Sequence, residues 1–303
     1  MPYILVRRAL VAALACLACL AALALAAPAR AQLTFPGASP ISAGNVIVRT
    51  QPGFAEGTDG VRSITDRNVL IYGASPDLAF IVQNNSVVAN SANIASGGQV
   101  RQATALGFGD TLLEGRYTVF QQDGVGSTLR VAPYIGVSIP TGMDNANGAL
   151  GRAGQPGTGA WATRDAVTAS WQTLFWNGGA EVGYQTNTTA AGYRFGNVFY
   201  ADAGFHYLLW PSQLEGEVPA ELYASLEANY TAETANRASG QKVPGTGAQL
   251  LLLDPGLIYT RRNYSVSFTA LLPAFERLRD GGSRYDFGGI LFIRYSLFTA
   301  LHW

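Results

Sequence analysis

The stretch Tyr264-Ser265-Val266-Ser267-Phe268-Thr269-Ala270-Leu271-Leu272 puts Tyr264, Val266, Phe268, Ala270 and Leu272 on one face of an extended chain and Ser265, Ser267 and Thr269 on the other. Only a strand sorts side chains with a period of two. The same division recurs upstream. Leu222, Ala224, Leu226, Ala228 and Tyr230 alternate with Glu221, Tyr223, Ser225, Glu227 and Asn229, and Phe199, Ala201, Ala203, Phe205 and Tyr207 alternate with Tyr200, Asp202 and His206. Leu113, Tyr117 and Val119 oppose Asp110, Glu114 and Arg116, while Leu129, Val131, Ile135 and Val137 oppose Arg130, Tyr134 and Ser138.

Extending this reading predicts strands over 44–51, 61–73, 77–89, 105–120, 128–139, 164–176, 178–187, 194–209, 219–231, 247–260, 264–272 and 285–298, the first three showing the weakest alternation. Long connections are predicted at 90–104, 140–163 and 232–246, and tight ones at Asn177 and at Arg261-Arg262-Asn263. Long loops at one end and short turns at the other describe an all-β fold, a transmembrane antiparallel up-and-down β-barrel of about 12 strands. A soluble sandwich would alternate in the same way with its faces reversed. Three features favour the barrel: a single lysine (Lys242) in the chain, aromatics gathered at strand ends, and an aromatic last residue. Trp176, Trp210, Tyr259 and Tyr264 flank the predicted short turns, and Tyr184, Phe195, Tyr230 and Tyr285 lie near the predicted long loops, as in two interfacial girdles.

Composition agrees. Of 303 residues, 48% are hydrophobic and 13% charged, too apolar for a disordered chain and too charge-poor for an ordinary cytosolic enzyme. Arg7 and Arg8 precede an apolar run to Ala27, and Ala29-Arg30-Ala31 supplies a small-x-small cleavage signature, so residues 1–31 read as a signal peptide and 32–303 as the barrel domain. Cleavage removes three arginines and no acid from a formal balance of 20 basic and 20 acidic residues, leaving a slightly acidic chain with no nucleic-acid partner expected. Both cysteines, Cys16 and Cys19, leave with it, so no disulfide or thiolate site is expected. After Gln32 no apolar run is long enough for a membrane-spanning helix.

Counting back from Trp303 in twos gives Leu301, Leu297, Tyr295, Ile293 and Leu291 on one face. A final strand of this kind resembles the signal read by the outer-membrane assembly machinery, with Tyr295, Leu297, Leu301 and Trp303 carrying it. The location expected is the bacterial outer membrane, with its lipid and lipopolysaccharide as surroundings.

Gly107-Phe108-Gly109-Asp110 with its following strand, and Ala132-Pro133-Tyr134-Ile135-Gly136-Val137-Ser138-Ile139-Pro140-Thr141-Gly142, resemble the outer-membrane β-barrel family named for the meta-pathway of phenol degradation. The likeness covers about residues 69–303. It implies a small barrel of a putative transporter family for aromatic or hydrophobic compounds. Its motifs read physically as punctuation, with Gly109-Asp110 opening a strand and Pro140-Thr141-Gly142 closing one.

Candidate chemistry is sparse. His206 and His302 are the only histidines, so a hydrolytic triad has few places to form, and no cluster has metal-ligand spacing. No enzyme, cofactor or metal is expected. Gly151 to Gly159 lacks the ending of a phosphate loop. What remains is the lumen. The inward faces would carry Asp110, Glu114, Arg116, Arg130, Glu181, Asp202, His206, Glu227, Asp286 and Arg294, with Arg116 and Arg130 expected about one rung apart. The function expected is passive passage of small solutes, aromatic or hydrophobic ones among them, through a narrow conduit. A non-transporting barrel with a structural or surface-binding role is the alternative, and a lipid-modifying enzyme a distant one.

Overall fold

The computed structural model describes residues 37–38, 41–96, 99–212, 220–278 and 282–298. The predicted leader lies outside the described residues, as do Leu301, His302 and Trp303. Twelve strands form one antiparallel sheet: β1 (Asn45–Gly57), β2 (Arg62–Gly73), β3 (Leu78–Ser96), β4 in three segments (Gln99–Gly107, Thr111–Tyr117 and Phe120–Gly124), β5 (Ser127–Ile139), β6 (Ala162–Thr173), β7 (Trp176–Asn187), β8 (Val198–Trp210), β9 (Glu221–Glu233), β10 (Ala248–Arg261), β11 (Tyr264–Leu278) and β12 (Tyr285–Phe298). Each strand pairs with its chain neighbours, and β12 pairs back onto β1 with Arg49 opposite Arg294 and Val48 opposite Tyr295. Closure leaves no open edge, which a sheet surrounded by lipid requires.

The faces are those of a membrane barrel. Phe268 is 57% exposed and Ile135 68%, whereas Ser265 is 1% and His206 0% exposed. Large apolar side chains point outward on every strand, and apart from buried apolar clusters near the turn end, small and polar rows point into the barrel. A soluble sandwich would show the reverse. At the end with short turns, Trp171 and Trp176 meet edge-on at 4.7 Å, Phe205 stacks beside Trp176 at 5.8 Å, and Tyr259 lies 6.3 Å from Tyr264. At the loop end, Phe199 pairs with Tyr230 at 6.3 Å and Phe54 with Phe287 at 5.8 Å. Tyr285 does not join this girdle: its hydroxyl is buried on the inward side of Gly288.

Several boundaries differ from the sequence reading. The predicted loop 90–104 is a hairpin, because β3 runs on to Ser96 and β4 starts at Gln99, with Asn93 opposite Gln102. Apart from Ile94 and Val100 its residues are small or polar on both faces, since a ladder rising above the membrane needs no apolar side. The turn placed at Asn177 is Leu174-Phe175, and Asn177 pairs with Gln172 inside β7. Arg194 belongs to a separate four-stranded sheet at the loop end, built from Thr189–Ala190, Tyr193–Arg194, Arg237–Ala238 and Gln241–Lys242. β11 continues through Pro273 to Leu278.

Ahead of β1 the chain enters the barrel. Ile41 packs with Ile47, Val69, Ile71, Ala79 and Ile81 on the inner wall of β1–β3. The Ala38 amide donates to Ser170 Oγ of β6 at 2.7 Å, and the Arg116 guanidinium of β4 donates to the Gly37 carbonyl. Gly37 and Ala38 therefore lie against the β4–β6 wall and Ile41 against the β1–β3 wall, inside the barrel. At the opposite end, connection 140–161 folds onto the inner side of β3 and β4: the Met143 amide donates to the Phe108 carbonyl at 2.9 Å and Asn90 Nδ2 donates to the Gly154 carbonyl at 3.3 Å.

Candidate functional site: the charged lumen

Alternation delivers one inward residue every second position, so chemistry in the lumen depends on which strands stand side by side. Six neighbouring strands, β3 to β8, build a single knot. Arg164 of β6 lies 3.7 Å from Glu114 of β4 and 3.4 Å from Glu181 of β7. Its Nε donates to the Tyr200 hydroxyl of β8 at 2.8 Å, and its guanidinium stands 4.6 Å over the Tyr200 ring. The Tyr134 hydroxyl of β5 donates to Glu181 Oε1 at 2.6 Å and lies 3.1 Å from the Tyr200 hydroxyl, and Gln83 of β3 donates to Glu114 Oε2 at 2.5 Å. Gly183 makes room for this, since an added Cβ would run into the Tyr200 ring. A guanidinium shared between two carboxylates, with a hydroxyl on Glu181 Oε1 and an amide on Glu114 Oε2, is how buried charge is tolerated, although Glu181 Oε2 accepts no hydrogen bond.

Beyond the knot the wall divides by sign. Glu181, Asp202, Glu227 and Asp254 occupy inward positions on β7, β8, β9 and β10, with Asp202 directly opposite Glu181 and Glu227 directly opposite Asp254. His206 Nε2 lies 3.3 Å from Glu227 Oε1, and Asn229 donates to Asp254. On the other side of the barrel, Arg49 of β1 stands opposite Arg294 of β12 and 5.5 Å over the Phe292 ring. Arg67 of β2 and Arg116 of β4 lie within electrostatic range of Arg49. An acidic arc thus faces a basic arc, and the field between them runs across the lumen.

Among the residues expected in the lumen, Glu114, Arg116, Arg130, Glu181, Asp202, His206, Glu227 and Arg294 sit on inward rows of the wall. Two stand elsewhere. Asp110 occupies the break in β4 and holds connection 140–161, accepting from the amides of Gly142 and Thr158 at 2.9 Å each. Asp286 is exposed at the loop-end mouth. Arg130 keeps the inward row of β5, opposite Ser170, at its turn end, where it donates to Gln121 and pairs with Asp123 at 3.4 Å. Arg116 and Arg130 are not one rung apart: Arg116 pairs with Tyr134 and Arg130 with Gln121, so four residues of β5, about 13 Å, separate them. The interruption of β4 at Thr118-Val119 shifts the expected register. Tyr295 and Leu297 lie near the end of β12 on its outward row.

Arg49, Arg67, Arg164 and Asp254 were missed. Parity alone could have placed Arg49 and Asp254, which fall on the inward rows once the strands are phased. Arg164 opens its predicted strand, where no alternation precedes it. Among the described residues no three His, Cys, Asp or Glu side chains come together as metal ligands.

A closed twelve-stranded barrel with a lipid-facing exterior and a charged interior is a transmembrane β-barrel of the outer-membrane kind. The chain belongs to the family described as "Putative MetA-pathway of phenol degradation", which it matches over residues 42–272. The match begins ahead of β1, upstream of the position near 69 expected from the motifs. An outer membrane channel from Pseudomonas putida F1 has the same fold, with a TM-score of 0.61 at 12% identity over 88% of this chain and 100% of that one. The NanC porin aligns at a TM-score of 0.43 and 13% identity, over 83% of this chain and 99% of that one. LpxR from Salmonella typhimurium aligns at 0.39 and 8%, over 84% and 100%. No curated protein matches the sequence.

Proposed function

We propose that the protein is an outer-membrane channel for small solutes, aromatic or hydrophobic ones among them, which move down their own gradient without cofactor or catalysis. The long connections then face outward and the short turns face the periplasm, as in barrels of this class. The observation that carries the reading is the lumen itself. It sets an acidic arc against a basic one, a polar wall for a small solute, and the apolar patch of Ile47, Val69, Ile71 and Ile81 adds a greasy wall once Ile41, which covers it, is displaced. The family and the channel fold from Pseudomonas putida F1 support the same class.

One observation favours the alternative of a non-transporting barrel: Gly37, Ala38 and Ile41 occupy the lumen, the first two hydrogen-bonded to β4 and β6 and the third packed on β1–β3. Truncation separates the two readings. The refolded barrel and a variant starting at residue 42 are compared in planar bilayers, with and without benzoate and phenol. The channel reading expects larger conductance in the truncated barrel, modulated by the aromatics. Equal and negligible conductance in both would overturn it in favour of a plugged scaffold.

A further inference from the structure

The four-stranded sheet at the loop end carries a rung of cations. Arg194 stands directly opposite Arg237, and Arg237 directly opposite Lys242. Directly opposed residues share one face with their Cβ atoms about 5 Å apart, so like charges there repel unless something compensates them. Among the described residues none of the three makes an ion pair. Their hydrogen bonds go to neutral groups, Arg194 to Asn197 Oδ1 at 3.5 Å and Arg237 to the Gly240 carbonyl at 3.2 Å. Lys242 is the single lysine of the chain, and it stands in this rung.

The rung lines a cavity of about 300 Å³, closed by Phe195, Asn197, Thr234 and Ala235. Asn197 and Thr234 continue the outward rows of β8 and β9, beyond Phe199 and Tyr230. Asn197 Nδ2 also donates to the hydroxyl of Tyr184, an outward residue of β7, at 3.2 Å. The cavity therefore opens on the outside of the barrel just above the loop-end aromatics, at the depth of lipid headgroups and away from the lumen.

We propose that Arg194, Arg237 and Lys242 form a binding site for the phosphate groups of the glycolipid in the outer leaflet, with Phe195 against its apolar part. A phosphate supplies the compensating charge that the rung lacks. Its oxygens accept from planar guanidiniums and from a mobile ammonium at once. The site rests on the loop end facing outward and is independent of whether the lumen conducts.

Native mass spectrometry of the folded barrel tests this with three probes: diphosphoryl lipid A, the same lipid dephosphorylated, and inorganic phosphate. The wild-type barrel and a control with the turn-end charges removed (Arg261→Gln, Arg262→Gln) should retain diphosphoryl lipid A. Arg194→Gln, Arg237→Gln, Lys242→Gln should bind it roughly tenfold or more weakly, the loss expected for removed charge-assisted hydrogen bonds. Replacing both arginines by lysine should restore much of the binding. Heat modifiability shows that the triple variant is folded; should it fail to fold, Lys242→Gln alone, at an exposed position, carries the comparison. Equal retention by the variant and the wild type would overturn the site. Equal binding of the dephosphorylated lipid would reduce it to an apolar contact. Displacement by millimolar inorganic phosphate would make the ligand a soluble anion and overturn the lipid assignment.

Discussion

The inner wall of β1–β3 and the inner wall of β6–β10 have the same backbone and opposite chemistry. The first is greasy over its turn end, with Ile47, Val69, Ile71, Ala79 and Ile81 buried around Ile41, and turns polar further up at Arg49, Gln51 and Gln83. The second carries Thr168, Ser170, Glu181, His206, Glu227 and Asp254. The difference follows from what each wall touches. Under β1–β3 lies a stretch of the protein's own chain, so apolar residues there form a small core. The β6–β10 wall faces other polar groups and solvent, so it must satisfy its charges from neighbouring strands. A barrel lumen is thus two environments, and substitutions should report which one they fall in.

The largest effect is expected at Arg164. Arg164→Leu leaves Glu114 and Glu181 buried without their shared cation, and breaking such a pair costs about 3–5 kcal/mol. In the greasy arc, Ile71→Val removes one methylene and should cost about 1 kcal/mol. Urea titration of the barrel folded in lipid vesicles measures both. Similar losses would mean that the two walls do not differ in the way their side chains suggest.

The outer face gives the next effect. Phe268→Arg places a charge in lipid at a cost of about 2–4 kcal/mol, while Ser267→Arg, one residue away on the inner row, should cost much less. Equal tolerance would reverse the assignment of inside and outside. A smaller effect is expected at Ile41. Ile41→Asp forfeits about 2 kcal/mol of apolar burial and should detach the chain at Ile41 from the β1–β3 wall without unfolding the strands. Faster amide exchange confined to this segment, with a raised conductance, is the expected outcome. Unchanged exchange would show that Ile41 is not the anchor.

The same contrast explains what could be read in advance. On β6–β11 the two faces differ so much that parity alone separated Ser265 and Ser267 from Val266 and Phe268. On β2 and β3 both faces are apolar: Val69 and Ile71 point in while Leu70 and Tyr72 point out, and Ile81 points in between Phe80 and Val82. A strand covered on both sides loses its period-2 signal, and here the inner cover is Ile41, from another part of the chain. The arginine knot was illegible for a related reason. Its touching pairs are 17 to 66 residues apart, from Arg164 with Glu181 to Tyr134 with Tyr200, and only the register of six strands brings them together.

The two sequence motifs that carried the family likeness also proved to be one structure. Asp110, at the end of Gly107-Phe108-Gly109-Asp110, accepts hydrogen bonds from the amide of Gly142 in Pro140-Thr141-Gly142 and from the amide and hydroxyl of Thr158, the last at 2.5 Å. Gly142 must be glycine for this closure, since a Cβ there would lie 2.7 Å from the Gly109 carbonyl carbon and from Gly157 Cα. One carboxylate therefore ties both ends of connection 140–161 to the break in β4. Asp110→Ala removes all three acceptor contacts, but at the mouth water can replace them, so the loss should be only about 1–2 kcal/mol and confined to the connection. Arg152 within it, held by Asp144 at 2.5 Å and by the Thr158 carbonyl at 2.7 Å, offers a readout. Trypsin should cut after Arg152 faster in Asp110→Ala than in the wild type, while the barrel keeps its heat-modifiable migration. Cleavage at the wild-type rate would show that the glycine packing, and not the carboxylate, holds the connection in place.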